Sequence, residues 1–351
     1  MENDERRQLL LGLPKVDLHR HLEGSLRLGT LLELGRRYNL DLPLDSEASL
    51  APQVTFREGQ PRTLDNFLAK FRADWYRSFA DVERVAREAV EDAAAEGVVY
   101  LELRFSPEHL TRESRLQVLG VIQAVCEAGR LAGEDSGCQV NFLLTFARER
   151  LDAKSWPRIV EDGLRCHHLG VVGVDLAGDE FRHPNRLFGD FFARVRDTGV
   201  LHVTVHAGEG TDAGSVASAI EVLGAERIGH GLETVNDSRV IELVRRRRVA
   251  LEMCPISNYQ TGCVDDVSSH PLPRLDEQQL AVTINSDDPA MHGADLTDNY
   301  DLAVSRWGFD LERLLHLELA AARAAFVTED ERRQLLQRIN AGYAACRGQG
   351  L

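Results

Sequence analysis

The chain has 351 residues, 43% hydrophobic and 28% charged, the balance of a soluble globular protein with a sizeable core. Its formal net charge of -15 argues against nucleic acid as a partner, since such proteins carry a basic patch or stripe. No apolar run approaches the ~18 residues of a membrane span, and the charged opening Met1–Arg7 has no apolar signal core, so a cytoplasmic protein is expected. The cysteines, 126, 138, 166, 254, 263 and 346, form no C-x-x-C and suggest no disulfide framework.

Residues 2–11 read as a short amphipathic helix ended by Pro14. The stretch Val16–Leu22 follows, in which Val16, Leu18 and Leu22 alternate with Asp17, His19 and His21. A strand there would set Asp17, His19 and His21 on one face, with two imidazoles able to reach one metal ion. Glu23, Gly24 and Ser25 turn the chain away. From 26 to 97 no strand is predicted. Leu28, Leu31, Leu32 and Leu34 mark a helix, and Pro43, Pro52 and Pro61 a connection. A second helical stretch starts near Thr63, with Phe67, Leu68, Phe71 and Trp75 at helical spacing, either as core or as an apolar lid. A helix over 81–96 stops at Gly97.

A strand–helix rhythm then sets in. Strands are expected at Val98–Phe105, Val140–Phe146, Val171–Leu176, Leu201–His206, Arg227–His230, Val249–Met253 and Ala281–Asn285. Helices are expected between most of them, near 114–132, 155–168, 187–198, 213–223 and 237–247, and over most of 297–347. With Val16–Leu22 that makes eight strands, the pattern of a (β/α)8 TIM barrel with extra helices after the first strand and at the C-terminus. A doubly wound open sheet is the structural competitor. No linker or repeat divides the chain, so 1–351 reads as one domain.

Barrel active sites lie at the C-terminal ends of the strands. There the sequence places His19 and His21, Ser106, Asp175 to Glu180, His206 to Glu209, Gly229-His230-Gly231, Cys254 to Asn258 and Asn285 to Asp288. His19, His21, His206 and Asp287 supply three nitrogens and one oxygen, a set that suits one zinc ion with a position left for water. Glu209 can shuttle protons beside such a metal, or simply open the next helix. His230, between two glycines, could orient or deprotonate the water. Asp288 could do the same or hold a substrate nitrogen, while Asp288-Pro289 also suits a helix start. His109, His167, His168, His183, His202, His270, His292 and His316 read as ordinary; His202 shares a strand face with His206 and could lie deeper in the barrel.

Together these segments resemble the adenosine deaminase family of the amidohydrolase superfamily. The matching stretches are 16–25, 67–71, 96–107, 175–180, 206–209, 229–231, 254–258 and 286–289, in family order over nearly the whole chain. The resemblance implies a zinc-dependent aminohydrolase of a small purine nucleoside, with His19, His21, His206 and Asp287 as ligands of one Zn2+. It implies Glu209 as the donor that protonates purine N1, His230 as the group that positions the water, and Asp288 as a contact to N7 or the attacking oxygen. It further implies a Gly178 backbone contact to N3, an apolar mouth with Phe67 and Phe71, and substrate contacts from His21, Glu23 and Ser106. One residue departs from the pattern: eukaryotic-type adenosine deaminases carry Asp where this chain has Glu23, near the ribose 5′ end. Adenosine, 2′-deoxyadenosine, 5′-modified adenosines, aminodeoxyfutalosine and free adenine are therefore all candidate substrates. Many amidohydrolases use two metals bridged by a carboxylated Lys after strand four; that strand ends in Leu176-Ala177 here, with no Lys near, which favours one metal. The intact ligand set weighs against a non-catalytic purine-binding relative.

Overall fold

The computed structural model describes residues 3–347. Eight parallel strands pair in sequence order, β1 (Lys15–His21), β2 (Val98–Phe105), β3 (Gln139–Ala147), β4 (Val171–Ala177), β5 (His202–Ala207), β6 (Arg227–His230), β7 (Ala250–Met253) and β8 (Val282–Ile284). Each lies within two residues of its expected bounds. Helices alternate with the strands from β2 onward and cover the sheet, giving the (β/α)8 barrel. The helix expected from residue 2 runs over Asn3–Gly12, and Glu2 lies outside the described residues.

The barrel closes through the residues expected to bind metal. Asp287, just beyond β8, pairs with Arg20 of β1: its N–H donates to His19 O at 2.8 Å, and its carbonyl accepts from His21 N–H at 2.8 Å. Lower in the seam, side chains replace backbone, with Asn285 Oδ1 accepting from Leu18 N–H and Ser286 Oγ donating to Asp17. Asp287 adopts φ +64, a left-handed conformation that a non-glycine residue takes at a cost.

The Asp17–His19–His21 face is corrected by a bulge. Between Asp17 and Arg20, β1 advances three residues while β2 advances two. The extra residue breaks the alternation. Asp17 therefore bonds Ser286 and lies 3.8 Å from Arg20, while His19 and His21 go on to the metal-type cluster described below.

The helix expected from Thr63 through Trp75 also ends early. Thr63 caps Leu64–Leu68, and Phe71 and Trp75 lie beyond it in irregular chain. Trp75 is buried all the same, so apolar side chains that fill irregular packing read as a longer helix in sequence. No described helix is long and apolar enough to cross a membrane.

The barrel interior is ionic. Glu102, Arg104, Asp175 and Glu252 are wholly buried and Arg227 nearly so. Arg227 pairs with Glu102 and with Glu252, and Arg104 pairs with Glu252 at 2.8 Å and Asp175 at 3.4 Å.

Candidate active site

Four side chains converge at the C-terminal mouth. His21 Nε2 lies 3.3 Å from His206 Nε2 and 3.5 Å from Asp287 Oδ1, and His19 Nε2 lies 3.3 Å from the same oxygen. The far side of two rings is fixed by carboxylates: His19 Nδ1 donates to Glu252 at 2.9 Å and His206 Nδ1 to Asp175 at 2.9 Å. A neutral imidazole that donates through Nδ1 presents a lone pair at Nε2. The His19 Nε2 lone pair thus faces the Asp287 carboxylate, and His19 Nε2 is buried with no hydrogen-bond partner. Such an arrangement is stable around a cation.

The spacing agrees with a divalent ion. Four ligand atoms about 2.0–2.2 Å from a tetrahedral zinc are separated by about 3.4 Å. The carboxylates behind His19 and His206 are the usual outer partners of metal-binding histidines. Burial pushes the His21 and His206 pKa values below the ordinary imidazole range, which keeps their lone pairs free at neutral pH. Burial would raise the Glu252 carboxyl, but Arg104 and then Arg227 hold it well below the usual range. Gly229 makes room here: a Cβ would sit 2.9 Å from His19 Cε1. Replacing Asp287 with Ala is expected to weaken affinity for a divalent ion by at least ~100-fold, read by metal content after dialysis; unchanged content would remove Asp287 from the ligand set.

Glu209 follows β5 in the loop before the helix Ala213–Ser218, so it does not open that helix. Glu180 holds this loop. Its carboxylate accepts the backbone N–H groups of Gly208, Glu209 and Gly210 at 2.8–2.9 Å and the Ser215 hydroxyl at 2.5 Å. Burial, then Asp287 and Glu180, push the Glu209 pKa up to about 8, so the group carries a proton at neutral pH.

His230 stands 3.5 Å from Glu209, Nε2 to Oε2, with φ +62. Asn258 accepts through Oδ1 from Cys254 N–H and donates through Nδ2 to His230 Nδ1 at 3.0 Å. Neutral His230 then carries its proton on Nε2, the nitrogen that faces Glu209. Accepting a proton there requires the other tautomer. Burial keeps His230 neutral.

Asp288 precedes the short helix Pro289–His292 but makes no side-chain cap bond, and its Oδ1 is buried without a partner. Burial and neighbouring Asp287 raise its pKa well above the usual range. It packs on Gly24, where a Cβ would fall 1.8 Å from Asp288 Oδ1, so only glycine fits. Glu23 Oε1 accepts from Ser106 N–H at 2.7 Å, its Oε2 has no partner, and burial pushes its pKa up to about 7.

A cavity of about 420 Å3 opens over these groups. Of the residues singled out in the sequence, His21, Glu23, Phe67, Phe71, Ser106, Gly178, His206, Glu209, His230, Asp287 and Asp288 all line it. His19 lies wholly buried behind them. Phe67 is both buried and part of the cavity wall, so the core and lid readings merge.

Three histidines read as ordinary belong here. His292 Nε2 lies 3.9 Å from Asp287 Oδ2, and its ring stacks on Phe67 at 4.8 Å and 3°. His109 and His183 line the cavity. His202, by contrast, sits at the opposite end of the barrel, paired with Glu226 and stacked on Phe326, and is not part of this site. Asp175, Arg104, Glu180, Glu252 and Asn258 also support the site without having been assigned a role.

An eight-stranded parallel barrel with a cavity over such a cluster at its C-terminal mouth has the architecture of a barrel enzyme. The chain belongs to the adenosine deaminase family, whose sequence model matches residues 14–342, and is therefore a hydrolase acting on cyclic amidines. It is 39% identical over 337 residues to an adenosine deaminase of Klebsiella pneumoniae, covering 94% of this chain and 98% of that one. Among solved structures it resembles an adenine deaminase of Arthrobacter aurescens, with TM-score 0.85, 28% identity and 94% and 98% of the two chains covered. It also resembles an amidohydrolase of Burkholderia ambifaria with bound zinc, with TM-score 0.88, 25% identity and 98% and 94% covered.

Proposed function

We propose that the chain hydrolyses the 6-amino group of an adenine nucleoside, releasing ammonia and leaving the 6-oxo purine, with one zinc ion held by His19, His21, His206 and Asp287. The observation that carries this reading is the placement of Glu209, 3.5 Å from His230 at the cavity beside a ligand cluster that suits a cation, where burial pushes its pKa up. The ion, when bound, supplies a Lewis acid that lowers the pKa of water to about 7.

The chain's own residues do the rest. Glu209 delivers its proton to purine N1, which draws electrons from C6 and opens it to attack. His230 donates through Nε2 and orients the incoming oxygen. Neutral Asp288 offers a hydrogen bond to a ring nitrogen or to that oxygen. Gly178 brings backbone to the far edge of the base, with φ +103 holding it there. Phe67 and Phe71 cover the purine and exclude water.

Two observations favour a nucleoside over the free base. The curated relatives at 36–39% identity are adenosine deaminases, whereas the adenine deaminase structure is 28% identical. The cavity also continues past the ligand cluster to Arg112, Arg150 and Arg182, leaving room for more than a purine. Glu23 bears on the choice of 5′ group, including the aminodeoxyfutalosine reading. We expect ammonia release from adenosine or a 5′-modified adenosine and little from adenine, in a panel that includes deoxyadenosine and aminodeoxyfutalosine. Turnover of adenine alone would overturn the nucleoside assignment.

Glu23→Asp shortens the side chain by one methylene and withdraws Oε1 from Ser106 N–H. The order of preference among adenine compounds is expected to change by about tenfold in kcat/KM, since one methylene is worth 1–3 kcal/mol in a pocket. An unchanged order would place the determinant elsewhere.

A further inference from the structure

A second cavity, of about 410 Å3, lies at the other end of the barrel, around the N-terminal ends of β5, β6 and β7. Five arginines line it: Arg227, Arg247, Arg248, Arg323 and Arg332. Two are engaged. Arg227 forms the floor, bound to Glu102 and Glu252, and Arg332 caps the carbonyls of Ala322, Arg323 and Ala325. Arg247, Arg248 and Arg323 make no side-chain hydrogen bond or ion pair among the described residues. The one lining carboxylate, Glu226, is taken by His202 at 2.8 Å.

All three are exposed at the cavity rim, a local cluster of positive charge on a chain of net charge -15. Two helices, Ser238–Arg247 and Leu311–Ala324, end at this cavity, and cations are favoured at helix C-termini. Their two dipole ends amount to about one negative charge, and Arg332 already covers the second. The surplus is positive. Arg248 moreover holds φ +55 just past the first helix, where glycine is the favoured residue. A charged side chain is kept there against both backbone preference and like-charge repulsion. Conflicts of this kind are characteristic of functional positions. Arginine forks match phosphate oxygens two at a time, and the cavity has the volume of a small-molecule site.

We propose that this basal cavity binds a phosphorylated small molecule, with Arg247, Arg248 and Arg323 holding its phosphates. The site is separate from the catalytic mouth, so its failure would leave the deaminase reading untouched. Inorganic tripolyphosphate titrated calorimetrically into the full chain is the probe. One site per chain is expected, with sub-millimolar affinity that weakens as salt rises. The triple variant Arg247→Ala, Arg248→Gly, Arg323→Ala should bind at least about tenfold more weakly while deaminase turnover is unchanged. Glycine at 248 suits the left-handed backbone, so the fold is preserved, as circular dichroism would verify. A second variant, Arg112→Ala with Arg150→Ala at the catalytic mouth, should bind the probe as the wild type does. No binding at about 1 mM, equal binding by the triple variant, or loss with the mouth variant would each overturn the proposal.

Discussion

Glu209→Gln is expected to retain its divalent metal and lose turnover by about 10^2–10^4-fold, the usual worth of a positioned general acid or base. Gln has nearly the size of Glu and can keep the loop that Glu180 pins through Gly208, Glu209 and Gly210. What it lacks is an exchangeable acidic proton. The pH dependence follows from the sign of the shift. With the pKa raised to about 8, the acid form is complete below neutral pH and is lost as pH rises through that value. A cation bound at the neighbouring cluster opposes the shift, so the alkaline fall in wild-type kcat/KM comes at or below pH 8. In the Gln variant that limb disappears. Near-normal turnover, or an unchanged alkaline limb, would remove Glu209 from proton delivery.

The barrel was legible in the sequence because most of its strands are short β-branched and leucine-rich runs with a helix after most of them, as at Val98–Phe105 and Val171–Ala177. The candidate ligands were legible for a different reason: a TIM barrel gathers strand ends, so residues far apart in sequence, such as His19 and Asp287, could be placed at one mouth before any contact was known. What sequence could not supply was the pairing inside the barrel. Arg104 sits in an ordinary strand, and nothing local says that it joins Asp175 to Glu252. His292 was hidden because it gains its position from Phe67, more than two hundred residues away, through ring stacking. A bulge removed Asp17 from the histidine face, and alternation counted along a strand is blind to bulges. For His202 the face was read correctly as continuous with His206, but four residues of strand carry it to the other end of the barrel.

Arg104→Met tests whether this hidden network sustains the site. Arg104 is fully buried, donates to Glu252 at 2.8 Å and to Leu18 O at 2.6 Å, and lies 3.4 Å from Asp175. Methionine fills much of the volume but leaves buried Asp175 without its guanidinium and Glu252 with that of Arg227 alone. Breaking one side of a buried ion pair costs about 3–5 kcal/mol, and the denaturation midpoint is expected to fall accordingly. The acid limit should move as well. Burial would raise the Asp175 pKa, but His206 and Arg104 hold it well below the usual carboxylate range, and Glu252 is likewise depressed. A depressed carboxylate stabilises the fold above its unfolded pKa, and that stability is lost as pH falls through the folded value. Without Arg104 both folded values rise, so acid unfolding begins at a higher pH than in the wild type. Because Glu252 and Asp175 orient His19 and His206, affinity for a divalent ion should drop by about 10–100-fold in the same variant. Stability lost with metal affinity intact would make the network a fold element alone. Loss of both ties the buried charges of the barrel to the chemistry at its mouth.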